Sequence, residues 1–129
     1  ATLPEVVIDP VQINQVLVNL YLNAKQAMGS GGTLTIAAGV RSDFVELTVQ
    51  DTGVGIGQEN LDKIFNPFFT TRKEGIGLGL AIVSRILEQH KSQIFVESEP
   101  GTGTKFIIRF PIKPFEGAFE DRPQFFRSI

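Results

Sequence analysis

The stretch Phe44 to Asp51 alternates apolar Val45, Leu47 and Val49 with polar Glu46, Thr48 and Gln50, a period that fits only a strand with one face buried. Asp51 falls in phase with the buried face. A carboxylate taken out of water without a donor costs several kcal/mol, and no Lys or Arg shares that face of the strand. Either a ligand supplies the donor, or Asp51 opens a turn, as Asp-x-Gly often does. The residues that follow, Thr52, Gly53, Val54, Gly55 and Ile56, give a backbone that turns sharply and admits another molecule closely.

The remaining pattern sets a fold class around this strand. Leu3 to Ile8 is strand-like from the outset, and so abrupt a start reads as a piece of a longer chain. Asp9 before Pro10 is an N-cap followed by proline at the first helical position, which predicts a helix from about Val11 to Met28, ending at Gly29, Gly31 and Gly32. Its apolar stripe is Ile13, Val16, Leu17, Leu20, Ala24 and Ala27. Thr33 to Ala38 should pair with Phe44 to Asp51 across a connection from Gly39 to Asp43. Gln58 to Ile64 suits a short helix, Leu80 to His90 a longer one with Ile82, Val83, Ile86 and Leu87 inward, and Gln93 to Ser98 and Lys105 to Ile112 are closing strands. This order predicts an α/β sandwich of two layers: a mixed sheet of about five strands with three helices on one face.

With 129 residues, twelve basic and fourteen acidic, the chain suits one domain with a real core and carries no basic stripe for a nucleic-acid backbone. It has no cysteine, which removes disulfide scaffolds and thiolate metal sites and is compatible with the cytoplasm. No apolar run reaches the roughly 20 residues that span a bilayer, so direct membrane contact is not expected. His90 reads as a helix-end residue. Residues 114–129 form a separate aromatic-rich tail, with Phe115, Phe119, Phe125 and Phe126 among charges and prolines; it either folds back or meets a neighbouring chain.

Two further features carry chemistry. Gln12, Gln15, Asn19, Asn23 and Gln26 recur at three- and four-residue steps, an all-amide helix face where Lys and Glu would serve better if water were the only neighbour. Their carbonyl oxygens are hard, neutral ligands of the kind Mg²⁺ accepts beside phosphate. A plain polar helix face is the other reading. Gly75, Gly77 and Gly79 open straight into a helix, a loop whose amides suit an anion and which equally serves as a hinge. Arg72 and Lys73 stand upstream of it.

Taken in order, Asn19-Leu20-Tyr21-Leu22-Asn23-Ala24, Asp51-Thr52-Gly53-Val54-Gly55-Ile56, Ile64-Phe65-Asn66-Pro67-Phe68-Phe69-Thr70-Thr71-Arg72, Gly75-Ile76-Gly77-Leu78-Gly79-Leu80 and Gly101-Thr102-Gly103-Thr104 resemble the N, G1, F, G2 and G3 boxes of the sensor histidine kinase catalytic domain. The resemblance spans Pro4 to Ile112 and implies a catalytic domain over residues 1–113 with the Bergerat fold, which gyrase, the mismatch-repair ATPases and a heat-shock chaperone share.

On that resemblance ATP and Mg²⁺ are the expected cofactors. Asp51 would accept from the exocyclic amine of adenine, with Gly53 and Gly55 letting the backbone pass close to the base, and Ile56 and Thr104 also among the nucleotide-binding residues. Asn23 would ligate the metal, with Asn19 and Gln26 nearby on the same helix. Phe65, Phe68 and Phe69 would anchor a lid from Asn66 to Ile76, Gly77 and Gly79 would cradle the phosphates beneath it, Arg72 would meet the γ-phosphate, and Thr70, Thr71, Lys73, Gly75, Leu78 and Leu80 would also be among the nucleotide-binding residues. Ile76 stands where the family often has Thr, and Lys91 and Ser92 replace two glycines that often follow the histidine. Asn19, Asn23 and Arg72 are the expected catalytic residues. The acceptor histidine belongs to a separate dimerisation domain, absent from this chain; the parent would be a homodimer serving a response regulator. A Bergerat-fold ATPase and a non-catalytic nucleotide switch are the rival readings.

Overall fold

The computed structural model describes residues 4–69 and 79–112, and the backbone of 126–128. Asp9 caps the first helix as its sequence requires: its Oδ1 accepts from the N–H groups of Val11 at 3.0 Å and Gln12 at 3.4 Å, and Pro10 opens helix α1, Pro10–Ala27. Ile13, Val16, Leu20 and Ala24 bury one side of α1, whereas Leu17, expected inside, is 36% exposed. Helix α2, Gly79–Gln89, buries Val83, Ile86 and Leu87.

The sheet runs in the order β2 (Leu34–Arg41), β3 (Phe44–Asp51), β5 (Gly103–Pro111), β4 (Gln93–Glu99). α1 packs over β3 and α2 over β4. Val45, Val49, Phe106, Ile108 and Phe110 face the helices in one core, giving the expected two-layer α/β sandwich. The sheet is antiparallel throughout and has four strands, where a mixed sheet of about five is expected. The difference lies in β1, Val6–Ile8, which pairs instead with β6, Phe126–Ser128, so three residues of the tail return to the first strand. The β2–β3 hairpin is also tighter than the expected connection from Gly39 to Asp43: Arg41 lies opposite Phe44, leaving a two-residue loop with Ser42 at φ 54°. Gln58 to Ile64 holds only one 3-10 turn, Gln58–Asn60, because so short a segment gives little return on helix nucleation.

His90 is buried at the end of α2, with Nδ1 2.8 Å from the Ile86 carbonyl, while Nε2 accepts the Asp9 N–H at 3.0 Å. With Nε2 accepting, Nδ1 carries a proton and donates to the Ile86 carbonyl, so the ring ties two elements together. It joins the end of α2 to the start of α1. From Asp9 to Asn19 and from Gly79 to His90 the helices run about 15 Å each, so antiparallel packing from this tie sets Asn19 opposite Gly79. His90→Ala should lower unfolding free energy by about 1–3 kcal/mol through the orphaned Asp9 N–H. Urea unfolding is the check, and an unchanged midpoint would remove the tie from the account.

Candidate functional site

Asp51 ends β3 opposite Leu34 on one side and Thr104 on the other, and Thr104 lies opposite Ser98 of β4. Directly opposed residues share a sheet face, so Asp51, Thr104 and Ser98 form a polar row across three strands at one end of the core. Asp51 is 4% exposed. Its Oδ1 accepts from the Gly53 N–H at 2.8 Å and from the Thr104 N–H at 3.3 Å. The turn reading of Asp51 therefore holds for one oxygen. No donor among the described residues meets Oδ2, and Oδ2 is not among their sealed orphan atoms, so that oxygen keeps an opening to solvent.

The loop after Asp51 is clamped on both sides. Val54 donates its N–H to the Ala27 carbonyl at the end of α1 and accepts from the Gly101 N–H in the β4–β5 turn. Thr52 Oγ1 accepts from the Thr33 N–H at 2.9 Å, and Ser98 Oγ accepts from the Ile56 N–H at 2.7 Å. Gly53 and Gly55 have a packing reason for lacking side chains. A Cβ at Gly53 would sit 2.6 Å from the Ala27 carbonyl oxygen, and one at Gly55, where φ is 75°, would run into the Glu99 carbonyl. The glycines thus let the chain itself close up, which brings the loop against the helix layer beside Asp51.

Asn19 lies at the other end of the predicted set. Its Oδ1 is 3.9 Å from where a Gly79 Cβ would stand, at the first residue of α2, and its Nδ2 is the one buried side-chain polar atom without a partner among the described residues. An orphaned amide beside a helix N-terminus is a place prepared for something polar. Asn23 shares that side of α1, half-buried, and Gln26 is exposed there. Phe65 packs edge-on against Phe106, with ring centres 6.3 Å apart, and Ile56, Phe69 and Leu80 pack against the core. Phe68 is 71% exposed with φ at 68°, so among the described residues it anchors nothing. Thr70, Thr71, Arg72, Lys73, Gly75, Ile76, Gly77 and Leu78 lie outside the described residues. The groove of about 430 Å³ between the later turns of α2 and β4, lined by Leu87, Lys91 and Phe95 among others, contains none of the predicted residues.

Ser98 is the participant that sequence reasoning missed. Its only advance signal is that it alternates in phase with the half-buried Ile94 and Val96, ending a strand beside a glycine turn, as Asp51 does. Among the described residues no group of three or more His, Cys, Asp or Glu could hold a metal ion. No helix among them is long and apolar enough to cross a membrane. Replacing the orphaned amide should stabilise the fold: Asn19→Leu should raise unfolding free energy by about 1 kcal/mol. Thermal or urea melts check this, and a destabilised variant would mean that the Asn19 amide is already satisfied.

Residues 8–114 match the family model described as histidine kinase-, DNA gyrase B- and HSP90-like ATPase. The sensor histidine kinase ZraS of Escherichia coli K12 is 48% identical over 111 residues, which is 86% of this chain and 24% of that protein. Sporulation kinase E of Bacillus subtilis is 38% identical over 113 residues, covering 86% of this chain and 15% of that protein. The chain thus spans about a quarter or less of these relatives. Among solved structures, the catalytic domain of histidine kinase ThkA superposes with a TM-score of 0.72 at 39% identity, over 81% of this chain and 69% of that one. Full-length ShkA in complex with AMPPNP gives 0.75 at 32% identity, over 85% of this chain and 23% of that one. With the family model covering all but the two ends, and with kinase catalytic domains as its structural likenesses, the chain belongs to the histidine kinase-, DNA gyrase B- and HSP90-like ATPase family.

Proposed function

We propose that this chain binds Mg-ATP and delivers the γ-phosphoryl group to a histidine on a separate dimerisation domain of its parent, a homodimeric sensor kinase that in turn serves a response regulator. The observation that carries the reading is the divided Asp51 carboxylate. Oδ1 is held by two backbone N–H groups, and Oδ2 is left as an acceptor at the end of a buried strand, suited to the exocyclic amine of adenine. The bound AMPPNP of ShkA supports a nucleotide as the ligand.

Asn19 Nδ2, buried and without a partner, and the exposed Gly79 at the head of α2 supply donors for phosphate oxygens. Asn23 offers a neutral oxygen to Mg²⁺, whose remaining ligands would be phosphate and water. The cation supplies charge neutralisation when bound. Arg72 and Lys73 add positive charge near the terminal phosphate, Thr70, Thr71 and Gly75 belong to the lid, and Gly77 joins Gly79 in cradling the phosphates. Phosphoryl transfer asks for positioning and charge neutralisation more than covalent help, which amides, glycines and a cation provide. The ATPases resembling this fold place a water-activating glutamate where this chain has Asn19, so transfer to a side chain is favoured over hydrolysis. The domain works on the cytoplasmic side, whether or not its parent is membrane-anchored.

Two substitutions test the assignments. In Asp51→Asn the Gly53 and Thr104 N–H groups hold the amide oxygen in the place of Oδ1, which turns NH₂ toward the adenine amine. ATP affinity should fall about 10- to 100-fold with the fold retained. Titration calorimetry showing unchanged affinity would reject the adenine role. Asn23→Ala should abolish Mg-dependent phosphorylation of an added acceptor-histidine domain, read as acid-labile phosphoprotein, while the chain stays folded. Normal transfer would remove Asn23 as the metal ligand, and rapid steady-state phosphate release by the unmodified chain would favour an ATPase instead.

A further inference from the structure

Ser98 Oγ meets three groups: the Ile56 N–H at 2.7 Å, the Gly103 carbonyl at 2.9 Å and Thr104 Oγ1 at 2.8 Å. A hydroxyl has one proton and two lone pairs. Only one assignment makes all three bonds. Ser98 donates to the Gly103 carbonyl and accepts from both Ile56 and Thr104, so the Thr104 hydroxyl proton is committed to Ser98. The reverse direction forfeits the bond to Gly103, a buried residue.

Committing that proton has a consequence one strand away. Thr104 Oγ1 is left with lone pairs only, on the residue directly opposite Asp51, whose Oδ2 is also an acceptor. The row therefore offers acceptors and no hydroxyl donor. A carboxylate alone does not choose between purines, because it accepts as readily from the ring N–H of a 6-oxopurine as from the amine of adenine. An acceptor-only row does choose: a purine with an amino group at position 6 gives it a proton, and one with a carbonyl there brings a third acceptor into a buried, low-dielectric corner.

We infer that Ser98 is a specificity-determining positioning residue, which fixes the Thr104 hydroxyl as an acceptor and so makes the site select 6-aminopurine over 6-oxopurine nucleotides. It acts through Thr104 and rests on the nucleotide reading of Asp51. With Ser98 removed, the Thr104 hydroxyl is free to turn and donate to a purine carbonyl.

The test is the affinity of this chain for ADP and for inosine diphosphate, measured by calorimetry. Ser98→Ala should narrow the preference for ADP by about tenfold, the worth of one hydrogen bond. Ser98→Thr, which keeps the hydroxyl, should restore it. In the double variant Ser98→Ala/Thr104→Val no hydroxyl remains to turn, so the gain in inosine diphosphate affinity should vanish. General loosening of the strand would lower both affinities and would not depend on Thr104. Should Ser98→Ala fail to fold, Ser98→Cys keeps the volume with a poor acceptor and carries the same expectation. A folded Ser98 variant with the unmodified chain's preference, or a narrowing that persists without the Thr104 hydroxyl, overturns the inference. If the unmodified chain binds neither nucleotide, the inference falls together with the nucleotide reading, a result seen before any substitution is made.

Discussion

The site depends on how one buried carboxylate divides its two oxygens. Asp51 Oδ1 accepts the Gly53 N–H and the Thr104 N–H, which fixes the turn out of β3 and ties β3 to β5 at their shared end. Those bonds also fix the plane of the carboxylate, so Oδ2 cannot rotate to a protein donor. An anion so placed has one oxygen held by the protein and the other left open to solvent. Such an arrangement suits binding, because a ligand donor can take the place of solvent at Oδ2.

The second half of the site holds a buried polar group without a partner. Asn19 Nδ2 is sealed from water without a partner, beside the glycine that begins α2. Its place there is set remotely: the His90 bond to the Asp9 N–H and the packing of α1 on α2 fix how far along one helix the other lies. The free energy forgone at Asn19 is carried by a continuous core from β1 through α1, α2 and the sheet. Rigid elements thus hold both groups, as precise binding requires.

Much of this is legible in the sequence, for identifiable reasons. The period of two in Phe44 to Asp51 places Asp51 inside because side chains of a strand can face only two ways. Asp9-Pro10 locates the start of α1 because capping is local chemistry. Local patterns failed where the partner is distant. Nothing near Val6 says that it pairs with Ser128, which is why a fifth strand is expected in the main sheet. Leu17 fits the apolar stripe by spacing, yet whether a neighbour covers it depends on tertiary packing. The glycines at 53 and 55 signal close approach correctly, but the close neighbours among the described residues are the chain's own Ala27 and Glu99. Ser98 was invisible because one serine in a strand has no meaning until Ile56, Gly103 and Thr104 are brought around it.

Asp51 Oδ2 is proposed as the receptor for a purine amine. A crystal structure of this chain with a non-hydrolysable ATP analogue tests it most directly. The exocyclic nitrogen of adenine should lie about 3 Å from Oδ2, with Oδ1 still holding the Gly53 and Thr104 N–H groups. A base bound elsewhere, with Oδ2 turned to a protein donor or to water alone, would contradict it.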